Sequence, residues 1–145
     1  MSKEDVDFVR SIYAAWERGD YSSIDWAHPQ IEWNFAVDGP SPTGGMGIRG
    51  MTENWSGLIS AFEDLRHEVD EYVDLDDGRV LVFQHLRGRG KTSGLDMGQI
   101  GMQDMPGAVV LTVSGGKVTR LVGYFHRKHA LADLGLPEQN DHTDS

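Results

Sequence analysis

The 145-residue chain has no cysteine, a shortage of basic side chains and no long apolar run, and each lack closes off a class of function. Without cysteine there is neither a disulfide framework nor a thiolate zinc site, and nucleophilic thiol chemistry is excluded. Thirteen Lys and Arg stand against 23 Asp and Glu, a formal net charge of −10. Long-range repulsion of that sign argues against a nucleic-acid backbone or an anionic membrane as partner. No stretch approaches the ~20 apolar residues of a membrane span. The start, Met1 to Phe8, is polar and acidic where a secretory signal would be basic and then apolar. A cytoplasmic protein is the expectation, with one domain over 1–136 and a disordered tail over 137–145.

Glycine, by contrast, is abundant, and it is clustered. Of 18 glycines, six lie between Gly39 and Gly57 and six between Gly88 and Gly107, and five of the six methionines share those stretches. Both segments are expected to be mobile connections.

Hydrophobic periodicity orders the rest. Phe8, Ile12, Ala15 and Trp16, widened by Val9 and Tyr13, recur at helical spacing and predict an amphipathic helix over 4–18. Ser22 or Ser23 is a candidate cap for a short helix ending at Trp26, before His28-Pro29. Ile31, Trp33, Phe35 and Val37 alternate as in a strand, and a loop over 38–50 follows. Thr52 then reads as the cap of a helix with Met51, Trp55, Ile59 and Phe62 on its apolar face. Segments 65–75 and 79–89 flank Asp76-Asp77-Gly78, a strong hairpin signal. Strands over 107–113 and 117–127 meet at Ser114-Gly115-Gly116, and Ala130 to Leu134 suggests a last short helix. Helices first and antiparallel strands after describe an α+β domain.

A two-residue turn at Asp77-Gly78 would pair residues whose numbers sum to 155. One face then carries Leu75/Val80, Val73/Val82, Glu71/Gln84 and Val69/Leu86, and the other carries Asp74/Leu81, Tyr72/Phe83, Asp70/His85 and Glu68/Arg87. Glu71 and Gln84 form a polar pair within an aliphatic surface, which costs free energy unless both are hydrogen-bonded or wet. A wet cavity there makes Glu71 a candidate general acid or base and Gln84 its orienting partner. The alternative is that the two bond each other and stiffen the sheet. Asp70 opposite His85 resembles a catalytic dyad on the other face, and a one-residue slip would exchange the two readings. His67, His126, His129 and His142 are scattered without metal-ligand spacing, so neither a metal nor another cofactor is expected.

Tyr13-Ala-Ala-Trp-Glu-Arg-Gly-Asp20, Ile31-Glu-Trp33, Gly90-Lys-Thr-Ser-Gly94 and Gly116-Lys-Val-Thr-Arg-Leu121, with Ala130-Leu131 and Gly135-Leu136, resemble the SnoaL-like branch of the nuclear transport factor 2-like superfamily. The resemblance spans about residues 5–136. It implies a cone-shaped, curved antiparallel sheet wrapped around three helices of the N-terminal half, a cystatin-like α+β barrel with a deep apolar pocket. It also implies a homodimer formed through the outer sheet faces. By spacing, the steroid-isomerase tyrosine, base and proton donor fall at Ile12, Phe35 and Val109, and the epoxide-hydrolase arginine and aspartates fall at Gln84, Leu86 and Gly123. None can replace those groups. The usual aspartate before the last helix is His126, which could place a titratable group at the pocket rim.

Ile12, Trp16, Trp33, Phe35, Trp55, Ile59, Phe62, Val82, Leu111, Leu121 and Phe125 are the expected pocket wall around Glu71 and Gln84, with Asp70, His85 and His126 as secondary catalytic candidates. Such a wall suits a flat apolar or aromatic ligand bearing one or two polar groups. The expected function is binding of a polyketide- or terpenoid-like metabolite, with cofactor-free cyclase, isomerase or dehydratase chemistry open. The alternatives are a non-catalytic ligand-binding protein and a dimeric interaction module.

Overall fold

The computed structural model describes residues 2–39, 42–60, 62–90 and 107–137. The tail beyond 137 and most of the second glycine-rich segment lie outside the described residues, so the expected disorder and mobility there do too. In chain order the elements are α1 (Ser2–Glu17), β1 (Ala27–Phe35), β2 (Thr43–Met46), α2 (Ile48–Ser60), β3 (Phe62–Asp74), β4 (Arg79–Gly90), β5 (Gly107–Ser114), β6 (Lys117–Tyr124) and α3 (Arg127–Leu134). The six strands form one curved, open sheet in the order β2-β1-β6-β5-β4-β3. The α+β expectation holds, but the sheet is mixed, because β1 runs parallel to β6. Two helices, not three, precede the sheet's main hairpins, and the third follows it.

α1 buries Val9, Ile12, Tyr13 and Trp16, each 5% exposed or less, which is the i, i+3, i+4, i+7 stripe of a half-buried helix. Glu4 and Asp5 in its first turn favour the helix dipole, and Gly19 closes it in a left-handed conformation (φ 80°). The short helix expected to end at Trp26 does not form. Asp20 accepts from the Ser22 N–H (3.0 Å) and hydroxyl (2.7 Å), and the Trp26 ring N–H donates to the Ser23 carbonyl (3.0 Å). Those local bonds compete with a helical turn. β1 begins earlier than expected, at Ala27, and its register against β6 breaks between Ala27 and Glu32, where Pro29 has no N–H to give.

Much of the first glycine cluster is explained by close packing, which corrects the reading of it as a loose connection. β2, whose four residues are all exposed and carry no hydrophobic pattern, lies against β1. A Cβ on Gly45 would stand 2.9 Å from Cζ2 of the Trp33 ring, and one on Gly50 would stand 3.1 Å from the same atom. Trp33 is 6% exposed and has nowhere to retreat. Gly45→Ala is expected to lower stability by about 1–3 kcal/mol through overpacking, read as a fall in the urea midpoint. α2 starts at Ile48, so Thr52 sits inside it and donates to the Arg49 carbonyl (3.0 Å) instead of capping.

The sheet has two packed faces. Val80, Val82, Leu111, Val118 and Leu121 join α1 in one core, while Leu81, Phe83, Ala108 and Val110 pack with Ala130 and Leu131 of α3 in another. The outer apolar residues are thus covered within a single chain. Met46 is the exposed large hydrophobic residue among those described. α3 is tied down from a distance: the Phe125 and His126 N–H groups donate to Asp38 (2.7 and 2.9 Å), as does the His129 ring (2.8 Å). His126 occupies the N-cap position and makes no capping bond, so Asp38 supplies the acceptor that the helix's own start lacks.

Candidate functional site

The β3–β4 register departs from the expected one twice, and both departures decide what faces the interior. The hairpin loop is three residues long, with Asp76 (φ 67°) and Gly78 (φ 88°) left-handed, so Asp74 pairs with Val80 and Tyr72 with Val82. A bulge at Asp70 then shifts the pairing again, setting Val69 against Gln84 and Glu68 against His85. Before the bulge the odd-numbered residues Leu65, His67 and Val69 face the interior. After it, Tyr72 does.

Glu71 therefore lies on the outer face, exposed and opposite Phe83, and does not meet Gln84. Asp70 and His85 do approach each other on that outer side. The His85 ring takes both Asp70 (Nδ1 to Oδ2, 3.3 Å) and Glu68 (Nε2 to Oε1, 3.0 Å), and Arg127, seated over the Phe83 ring, binds Asp70 as well. Both ring nitrogens thus face carboxylates, next to the Arg127–Asp70 ion pair, and His85 is also among the residues that line the cavity inside the sheet. Surface networks of this kind contribute little per pair.

Between α1, α2 and the sheet, the described residues enclose a cavity of about 410 Å³. Trp16, Phe35, Trp55, Leu121 and Phe125 line it as expected. Ile12, Trp33, Val82 and Leu111 are buried in the core without reaching its wall, and the side chains of Ile59 and Phe62 lie outside the described residues. The walls are aromatic: Trp16 meets Trp55 edge-on at 4.8 Å, and Phe35 stacks on Trp55 at 6.1 Å. Among the described lining residues there is no Asp, Glu, Lys or Arg.

Thr43, Asn54, His85 and Tyr124 also line the cavity, and its fully buried polar groups come from three elements. Tyr13 follows Val9 by one turn of α1, so the stripe that buries the helix also carries its phenol inward. There the O–H donates to Oε1 of Gln84 at 2.5 Å, which leaves the Gln84 amide nitrogen free to donate into the cavity. Burial, with a smaller contribution from Tyr72, raises the Tyr13 phenol well above its ordinary range, so it stays a donor at all physiological pH. His67 on β3 is 6% exposed, and desolvation pushes its pKa down to about 3, so its ring is neutral. Its Nδ1 lies 3.1 Å from the Tyr21 hydroxyl, which itself donates to the Leu65 carbonyl at 2.8 Å. A phenol has one hydrogen to give, so Tyr21 accepts from His67 and fixes the proton on Nδ1. Nε2 is left with a lone pair on a residue that lines the cavity.

Tyr13 and His67 were not among the expected site residues. Tyr13 was legible as part of the α1 stripe, and His67 shares the alternation of Val69, the half of β3 for which the expected register placed the inward face correctly. The buried polar groups offer a donor at Gln84 and an acceptor at His67 within aromatic walls.

Known proteins share this frame. Residues 9–121 match the SnoaL-like domain. Bal32a, from a soil-derived mobile gene cassette, superposes with a TM-score of 0.70 at 16% identity, over 91% of this chain and 96% of its own. A candidate SnoaL-like polyketide cyclase from Jannaschia sp. CCS1 gives 0.69 at 16% identity, over 94% and 95%. AclR, a candidate hydroxylase from Streptomyces galilaeus, gives 0.68 at 21% identity, over 94% and 100%. At these identities the likeness is one of fold. No curated protein matches the chain.

Proposed function

The chain belongs to the SnoaL-like domain family, and on that premise we propose that it binds a flat, neutral, hydroxylated aromatic or polycyclic ketone of polyketide type in the cavity between α1 and the sheet. The observation that carries this reading is the uncharged polar pair within aromatic walls. The Gln84 amide, held by Tyr13, donates to a ligand carbonyl, and His67 Nε2 accepts from a ligand hydroxyl. A ligand carboxylate would enter without a counter-charge, and an unpaired buried charge is strongly unfavourable. His67 is the group through which proton transfer would run. A ring held neutral down to pH about 3 is a weak base, so binding is favoured over removal of a proton from carbon.

Titration with a hydroxynaphthoquinone and with a naphthalene carboxylate of similar size tests this, read by quenching of tryptophan fluorescence because Trp16 and Trp55 line the cavity. The neutral probe is expected to bind and the carboxylate to bind far more weakly. Gln84→Leu removes the bond to the ligand carbonyl, together with the acceptor of the Tyr13 hydroxyl, and is expected to weaken the neutral probe by at least roughly tenfold, the equivalent of ~1.4 kcal/mol. Equal affinity for the two probes, or indifference to Gln84→Leu, would sink the reading.

A further inference from the structure

We propose that Asp38, His126 and His129 bind one divalent transition-metal ion at the start of α3. Their ligand atoms all lie within 4.8 Å of one another, although Asp38 and His126 are 88 positions apart in the chain. Two imidazoles and one carboxylate are a donor set that selects first-row transition ions over calcium or magnesium.

The geometry of each donor favours the ion. His126 has extended backbone (φ −119°, ψ 125°) at the N-cap and makes no capping bond, so its ring is not committed to the helix. His129 lies one turn on, and the two ring centroids are 5.0 Å apart at 73°. Asp38 is oriented by the Phe125 and His126 N–H groups. Its partial burial works against ionisation, but those N–H groups and His129 outweigh it and hold the carboxyl below its usual range. The carboxylate also offsets the positive end of α3, which by itself would repel a cation.

Asp38 Oδ2 and His129 Nδ1 are 2.8 Å apart. An ion ~2.1 Å from each would see them at about 85°, close to the angle between neighbouring ligands of an octahedral ion. On binding, the proton on Nδ1 moves to Nε2, and the His129 ring and the Asp38 carboxylate turn so that both lone pairs meet the ion. The His129 side chain is 46% exposed, so the site has an open approach. Three protein ligands leave further positions for water or a small ligand. Phe125, next to His126 in the chain, lines the cavity, whereas the three ligands themselves do not. Asp38's role as a distant cap accounts for Asp38 and His129 but not for the placement of His126.

The test is calorimetric titration of the metal-stripped full chain with Ni²⁺, Co²⁺ and Zn²⁺, alongside His126→Ala and His129→Ala. One ion per chain is expected. Each substitution should weaken binding by more than the ~10–100-fold that loss of an outer partner costs. His126→Ala should leave the metal-free melting temperature unchanged, because its side chain caps nothing, and His28→Ala should leave metal affinity unchanged. Retention of affinity in either His126→Ala or His129→Ala, or absence of binding at millimolar metal, overturns the proposal.

Discussion

Replacing His67 by glutamine is expected to flatten the acid limb of the stability profile between pH 7 and pH 5. In the native chain desolvation holds the His67 ring neutral down to pH about 3, whereas in the unfolded chain it takes a proton near its ordinary value of 6.5. Between those two values the unfolded state binds the extra proton, so native stability falls as pH drops below about 6.5 and stops falling near 3. The linkage amounts to about 2 kcal/mol at pH 5 and on the order of 5 kcal/mol over the whole window. Other groups titrate in the same range, so the quantity to measure is the difference between the two chains. Urea unfolding of both at pH 7 and pH 5 isolates it: the native chain should lose about 2 kcal/mol more than His67→Gln. Equal losses would mean that His67 is solvated enough to ionise in place, and the cavity would then hold a cation at low pH. His67→Phe, which carries no titratable group, separates a change in proton linkage from a change in packing.

The elements were legible in the sequence wherever a single period governed them. The α1 stripe of Val9, Ile12, Tyr13 and Trp16 and the alternation of Ile31, Trp33 and Phe35 each point one face inward, and burial follows that pattern. The positive-φ pair Gly115 and Gly116 turns β5 into β6 as the sequence suggested. What escaped were features set by one residue's context. Asp76 takes a left-handed conformation that lengthens the turn by one, and the bulge at Asp70 shifts pairing again; neither has a hydrophobic signature. Together they move Glu71 out of the interior and Tyr72 into it. β2 is a strand of Thr-Gly-Gly-Met whose membership depends on main-chain pairing with β1, and its glycines are there because the Asn34 side chain fills the space a Cβ on Gly44 would need and the Trp33 ring the space of one on Gly45. The tie between Asp38 and α3 joins positions far apart in the chain, a separation that no local spacing rule spans. Gln84 was legible because β4 is regular through that point, and of the expected catalytic candidates it and His85 line the cavity.

Trp16→Ala is expected to cause the largest loss of stability of any single substitution considered, about 3–5 kcal/mol. The indole is 2% exposed and has five rings close to it. Tyr13 lies at 4.6 Å, Trp55 at 4.8 Å, His67 at 5.0 Å, Trp26 at 5.6 Å and Tyr21 at 6.4 Å between centroids. Aromatic contacts of this type add to simple burial, and rings anchored in α1, α2, β3 and the 21–26 segment cannot all collapse into the space left behind. A domain of this size is stable by roughly 5–15 kcal/mol, so the variant would sit near the edge of folding. Trp55→Ala should cost less, because that ring is only half-buried. The check is the urea midpoint at constant slope, with Trp16→Phe as the milder variant if Trp16→Ala does not fold. A loss below about 1 kcal/mol for Trp16→Ala would mean that the cluster repacks freely. The cavity would then be a consequence of loose packing and not a site shaped to hold a ligand. A large loss, accompanied by binding of bulkier neutral probes than the native chain admits, is what a rigid aromatic wall requires.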